Sequence, residues 1–172
     1  MKKLLLVIIF SLVFTNMTSA QAYTTDGGLV FHHKYHVVYV ESHAPSFPIK
    51  WAVETIRLMQ PQIDVHYGAC HSGAGCAKVY QIHRGRHVSP GLTYFRWYSS
   101  LELLEPVITK FDLDYPWTSH DRYQAACHEV LRELGIDYTW PTYQGSCMYR
   151  YLSNKANIHP AWADIYKLRQ VY

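Results

Sequence analysis

Apolar positions along the chain change period several times, and each change marks an element. His36-Val37-Val38-Tyr39-Val40 is a β-branched and aromatic run that predicts a strand, and Pro45 to Pro48 breaks it. From Ile49 to Gln60, Ile49, Ala52, Val53, Ile56 and Met59 recur at steps of three and four, the spacing of an amphipathic helix that Pro61 ends. Gln62 to Tyr67 and Lys78 to His83 predict two short strands, the second alternating Val79, Gln81 and His83 against Tyr80 and Ile82. Gly91 to Tyr98 predicts an aromatic strand and Pro106 to Asp112 a shorter one. Ser119 is placed to cap a helix running to about Leu134, with Asp121 in its first turn, where a carboxylate meets the positive end of the helix dipole. Gly135 stops that helix. Ile136 to Ile158 is turn-rich, and Pro160 to Val171 predicts a closing helix. Strand, helix, several strands, helix, irregular segment, helix is the order of an α+β or α/β sandwich, and α+β is the class expected here.

The first residues follow a different logic. Met1-Lys2-Lys3, an apolar run from Leu4 to Phe14 and the small residues around Ala20 and Ala22 have the order of a secretory signal, too short to span a bilayer. The reading is a signal peptide over 1–22 and a single domain over 23–172, secreted or periplasmic, with no transmembrane segment in the mature chain. A mature length of about 150 residues suits one core.

Export bears on the four cysteines, which can pair in an oxidising compartment. Three pairings are possible. Cys70 and Cys76 bracket a short glycine-containing loop, so a local Cys70–Cys76 bond leaves Cys127 with Cys147. A Cys/His metal cluster with His71 lacks the C-x-x-C spacing of a convincing zinc site. The formal charge of +3 comes from scattered residues, so no nucleic-acid partner is expected. Fifteen tyrosines and five tryptophans suit either a groove or a core with hydroxyls bonded at its rim.

The candidate chemistry lies in the helix from Ser119, which contains Cys127-His128-Glu129-Val130-Leu131-Arg132-Glu133-Leu134-Gly135-Ile136-Asp137-Tyr138. A zinc peptidase helix places two histidines four apart, so that both imidazoles reach one ion, with a glutamate between them to activate water. The extended pattern H-E-x-x-H-x-x-G-x-x-H adds a turn glycine and a third histidine. His128, Glu129 and Gly135 match it in register, whereas Arg132 and Tyr138 stand at the other two histidine positions. Ser146-Cys147-Met148-Tyr149 lies downstream, and a closing helix with Asp164 follows. In these features the chain resembles the metzincin zinc peptidases, matrixins in particular.

The resemblance implies a small twisted, mostly parallel sheet packed on two helices, and an irregular C-terminal subdomain with a methionine turn at Met148 and a closing helix. It implies Glu129 as the catalytic base if the protein is active, and His128, with Tyr138, as metal ligands if zinc is bound. Arg132 changes that expectation, because a guanidinium has no lone pair to donate and keeps its charge where a dication would sit. Tyr138 would have to lose a proton whose pKa is ordinarily near 10. Arg132 is instead expected to fill the metal place and to pair with Glu129 or Glu133. A Cys127–Cys147 bond would tie the signature helix to the methionine turn and supply about 3 kcal/mol.

The leading expectation is therefore a secreted metzincin homologue without a cofactor, which has lost zinc-dependent proteolysis and binds an extracellular or periplasmic peptide or protein. One alternative is an active zinc hydrolase with atypical ligation through His128 and Tyr138. Another is a small disulfide-stabilised effector unrelated to peptidases. His120 is two turns from His128, about 12 Å along the helix axis, and cannot share an ion with it. His32, His33 and His36 are expected to be solvated loop residues.

Overall fold

A computed structural model of the chain describes residues 32–33, 35–85, 90–96, 102–136, 145–149, 151–153 and 155–172. The expected signal segment and Tyr138 lie outside the described residues. In order, the elements are β1 (His32–His33), β2 (Val37–His43), α1 (Ile49–Met59), β3 (Asp64–Tyr67), β4 (Gly75–Ile82), β5 (Gly91–Tyr94), β6 (Glu102–Leu103), β7 (Val107–Asp112), α2 (Ser119–Glu133) and α3 (Trp162–Val171). The fold is α+β.

Five strands form the main sheet in the order β3-β2-β4-β7-β5. β2 runs parallel to β3 and β4, β4 runs parallel to β7, and β5 closes one edge antiparallel to β7. Helix α1 makes the crossover between β2 and β3 that parallel neighbours require. Strand residues alternate: Val38, Val40, Val65, Ala77, Val79, Val107 and Phe111 are buried, joined by Ile49, Ala52, Val53 and Ile56 of α1. Of the other side chains of β2 and β4, Tyr39, Glu41, Lys78 and Tyr80 are half-buried and His43 is exposed. Among the described residues this mostly parallel sheet is packed on one face, which explains why its strands alternate instead of reading as continuous apolar runs. On the outer face Tyr39 stacks with His66 and His43 with Tyr80, at centroid distances of 5.2 and 5.0 Å.

Helix α2 differs from an ordinary surface helix in that every residue from Gln124 to Glu133 is buried. It packs on α1 and the sheet, and the chain beyond residue 145 covers a further side. The start is set by a capping box at Thr118, one residue before the expected Ser119: its hydroxyl accepts from the Asp121 N–H at 3.1 Å, and Asp121 accepts from the Thr118 N–H. The end is set by Gly135, whose φ of 90° lies in the left-handed region. There the Ile136 N–H reaches Leu131 O at 3.1 Å and the Gly135 N–H reaches Arg132 O at 2.8 Å, satisfying carbonyls that the helix leaves open.

Other boundaries shift by a few residues. β4 begins at Gly75, ahead of the expected Lys78, because Cys76 is already in register with Tyr39. α3 starts at Trp162, not Pro160. The expected strand from Gly91 ends at Tyr94, with Phe95 and Arg96 outside it, and Trp97 and Tyr98 lie outside the described residues. The two-residue parallel pair of β1 and β6 has no counterpart in the expectations. It corrects the reading of His33 as a solvated loop residue. His33 is 3% exposed, pairs through Nδ1 with Glu105, and donates from Nε2 to Glu133 O at 2.7 Å. It thereby ties the start of the described chain to the end of α2.

No helix among the described residues is long and apolar enough to cross a membrane.

Candidate functional site

Both expected cysteine pairs are bonded, Cys70 to Cys76 and Cys127 to Cys147. The second joins the middle of α2 to the turn at residues 145–149. His128 makes a second link beside it, with Nδ1 3.1 Å from Cys147 O. Since a carbonyl only accepts, Nδ1 carries the proton in this bond, and the lone pair of a neutral ring lies on Nε2. Met148 is fully buried in the turn, whose shape is held by Ser146: the Met148 N–H donates to the Ser146 hydroxyl at 2.8 Å, and that hydroxyl donates to Asp164 of α3. Asp164 also accepts from the Ala161 N–H at 2.7 Å. Burial raises its carboxyl above the usual range, opposed by the Ser146 bond and, more weakly, by Lys167 and His128.

Glu129 leaves α2 toward the sheet. It accepts from the Thr93 hydroxyl of β5, and Thr93 lies 2.7 Å from the Thr109 hydroxyl of β7. Gly91 makes this approach possible, because a Cβ there would stand 3.1 Å from Glu129 Oε1 and 3.4 Å from the Phe111 ring. One turn deeper, the Glu133 side chain is fully buried. Burial pushes its carboxyl up to about 8, with the nearby Glu129 adding to the rise. The Thr109 hydroxyl opposes the shift, yet neither Glu133 oxygen has a hydrogen-bond partner of ordinary geometry. Burial thus favours the protonated form of Glu133 around neutral pH.

Arg132, in the position that a second zinc histidine would take, is 9% exposed and holds its guanidinium 5.1 Å from the centre of the Phe95 ring. Among the described ion pairs none joins it to Glu129 or Glu133, and the ring contact is of the cation–π kind. Among the described residues, which do not include Tyr138, the donor set does not fit a three-ligand zinc centre. Arg132 offers no lone pair, and among the described residues no group of three His, Cys, Asp or Glu side chains could hold an ion.

His128 and Glu129 open onto a cleft of about 300 Å³. Four stretches of chain line it: Pro90 and Gly91 at the start of β5, Tyr115 and Trp117 ahead of α2, Gln124 and Ala125 with the two site residues on α2, and Tyr149, Tyr151 and Leu152 following Met148. Trp117 is fixed by its indole N–H, which donates to Asp112 O at 2.6 Å, and by edge contacts with Phe47 and Phe111. Gln124 holds the far stretch, donating to Tyr151 O at 2.9 Å and accepting from the Ser153 N–H at 3.1 Å.

The sequence expectations thus bring His128, Glu129, Arg132, Gly135, Met148 and the Cys127–Cys147 pair into one region. They missed Thr93 and Gly91, which set the Glu129 carboxyl, and the aromatic residues of the cleft. The Pro90-Gly91 pair at a strand start was the available signal for Gly91, since glycine in a strand often marks a close approach. Comparisons with known proteins find no matching family model and no matching curated protein sequence.

Proposed function

We propose that the chain is an exported, degenerate relative of the metzincin peptidases that works by binding an extended peptide or protein segment along β5. Support for the relationship comes from the mostly parallel sheet packed on two helices, the sharp turn at Gly135, and the bonded contact between the signature helix and the Met148 turn. Support for binding comes from one observation above the others. β5 is the antiparallel edge strand, and the cleft runs from its first residue to His128 and Glu129. An extended segment laid beside an edge strand gains main-chain hydrogen bonds, and pockets next to that strand select its side chains.

Binding is favoured over hydrolysis because Arg132 stands where the pattern has its second zinc-binding histidine. Arg132 repels a dication and cannot donate to it, and a water next to Glu129 would have no Lewis acid to lower its pKa. The two disulfides fit an oxidising destination for the chain.

The test uses residues 23–172 produced with both disulfides formed. Metal content is measured by mass spectrometry, and cleavage and binding are followed with fluorescent peptides. The expected result is saturable binding without cleavage and without stoichiometric zinc. One tightly held zinc per chain, with cleavage that a chelator or Glu129→Gln abolishes, overturns the proposal.

A further inference from the structure

The cleft chemistry narrows the ligand, and this step rests on the peptide-binding reading above. Two separate stretches of chain contribute aromatic rings, Tyr115 and Trp117 from one and Tyr149 and Tyr151 from the other. Within each stretch the rings stand edge to face, at centroid distances of 5.0 and 5.8 Å. Rings so arranged present both faces and edges to whatever occupies the space between them, and ring faces attract cations. Among the described lining residues Glu129 is the one aspartate or glutamate, and neither lysine nor arginine is present. Glu129 is 6% exposed and held in place by Thr93, so its position is set before any ligand arrives.

We propose that this cleft is a recognition pocket for a basic side chain, a lysine or its methylated forms, of the bound peptide, with Glu129 as the counter-charge and the tyrosine and tryptophan rings as the cage. A cleft of about 300 Å³ has room for one long side chain and little of the adjoining backbone, which is left to the edge of β5. The protein uses the same attraction elsewhere in its own packing. Arg122 lies 5.4 Å from the Phe47 ring centre and Arg169 4.7 Å from that of Trp162. Norleucine, with the same length and apolar area but no charge, is the matched control. An acidic side chain would meet Glu129 and be rejected.

The test is a titration of the disulfide-bonded wild-type chain with five capped pentapeptides, alike except for a central lysine, trimethyl-lysine, norleucine, alanine or glutamate. The expected result is that lysine and trimethyl-lysine bind about tenfold more tightly than norleucine, with glutamate weakest. Glu129→Gln should remove most of that preference, because glutamine keeps an acceptor for Thr93 but loses the charge. Tyr115→Leu, at a half-buried position, should lower the affinity for trimethyl-lysine while sparing the stability of the fold.

Equal binding of lysine and norleucine overturns the basic-side-chain assignment and leaves peptide binding standing. A lysine preference unchanged in a folded Glu129→Gln protein also overturns it, by moving the recognising charge elsewhere. Failure of all five peptides to bind removes both this inference and the reading it rests on.

Discussion

A fully buried carboxyl with a raised pKa makes stability depend on pH in a direction opposite to that of most acidic residues. Glu133 titrates near 4.5 when exposed and near 8 in the folded protein. Below the lower value both states are protonated and the stabilising contribution is complete. Between the two values the unfolded chain releases the proton while the folded one keeps it, so each rise in pH favours unfolding; above the higher value no further change follows. The full interval corresponds to roughly 5 kcal/mol, of which about 3 kcal/mol falls between pH 5 and pH 7. Asp164 is also raised by burial and contributes in the same sense, so the whole-protein slope alone does not isolate Glu133. The comparison with Glu133→Gln does, because the amide has the shape of the protonated acid and does not titrate. Urea unfolding of both proteins at pH 5, 6, 7 and 8, with the disulfides intact, should give similar stabilities at pH 5. From pH 5 to pH 7 the wild type should lose about 3 kcal/mol more than the variant. Parallel curves for the two proteins would refute the assignment.

Other changes test the surrounding geometry. Thr93→Val removes the hydroxyl between Thr109 and Glu129; it should cost about 1–3 kcal/mol in urea unfolding, with Thr93→Ser recovering most of the loss. Gly91→Ala places a methyl group 3.1 Å from Glu129 Oε1, so peptide affinity should fall severalfold while thermal unfolding shifts little. Replacing both Cys127 and Cys147 with alanine opens a link across a separation of 20 residues and should remove about 3 kcal/mol of stability, whereas the shorter Cys70–Cys76 loop should be worth about 2 kcal/mol. Thr118→Ala should cost about 1 kcal/mol by opening the capping box, read as a lower midpoint in thermal unfolding.

Local signals in the sequence were read accurately where the physics was local. The three- and four-residue spacing from Ile49 to Met59 marks α1 because one helix face is enough to bury it, and Pro61 can only stop it. Gly135 reads as a helix end because its backbone conformation excludes most other residues. What was not legible depends on partners far along the chain. His33 looks like one of three loop histidines until β6, about seventy residues later, pairs with its strand and Glu105 faces its ring. Thr93 is an ordinary strand threonine until Glu129 arrives, 36 residues away. Arg132 next to two glutamates suggests a pair along the helix, but helix spacing does not reveal that Phe95 of the sheet edge offers a face in the same place. The boundary between Thr118 and Ser119 is a closer case. Both can cap, and the decision falls to the residue with an acid three positions ahead, which is Thr118.

The Cys127–Cys147 bond also bears on how the cleft is held together. Tyr115 and Trp117 precede α2, whereas Tyr149 and Tyr151 follow the turn that this bond attaches to it. While the thiols are reduced, the two aromatic sides are held in place only by packing and by contacts such as those of His128 and Gln124. Oxidation makes their attachment covalent. With the bond formed, the turn before Tyr149 cannot separate from α2 unless the middle of that helix moves with it.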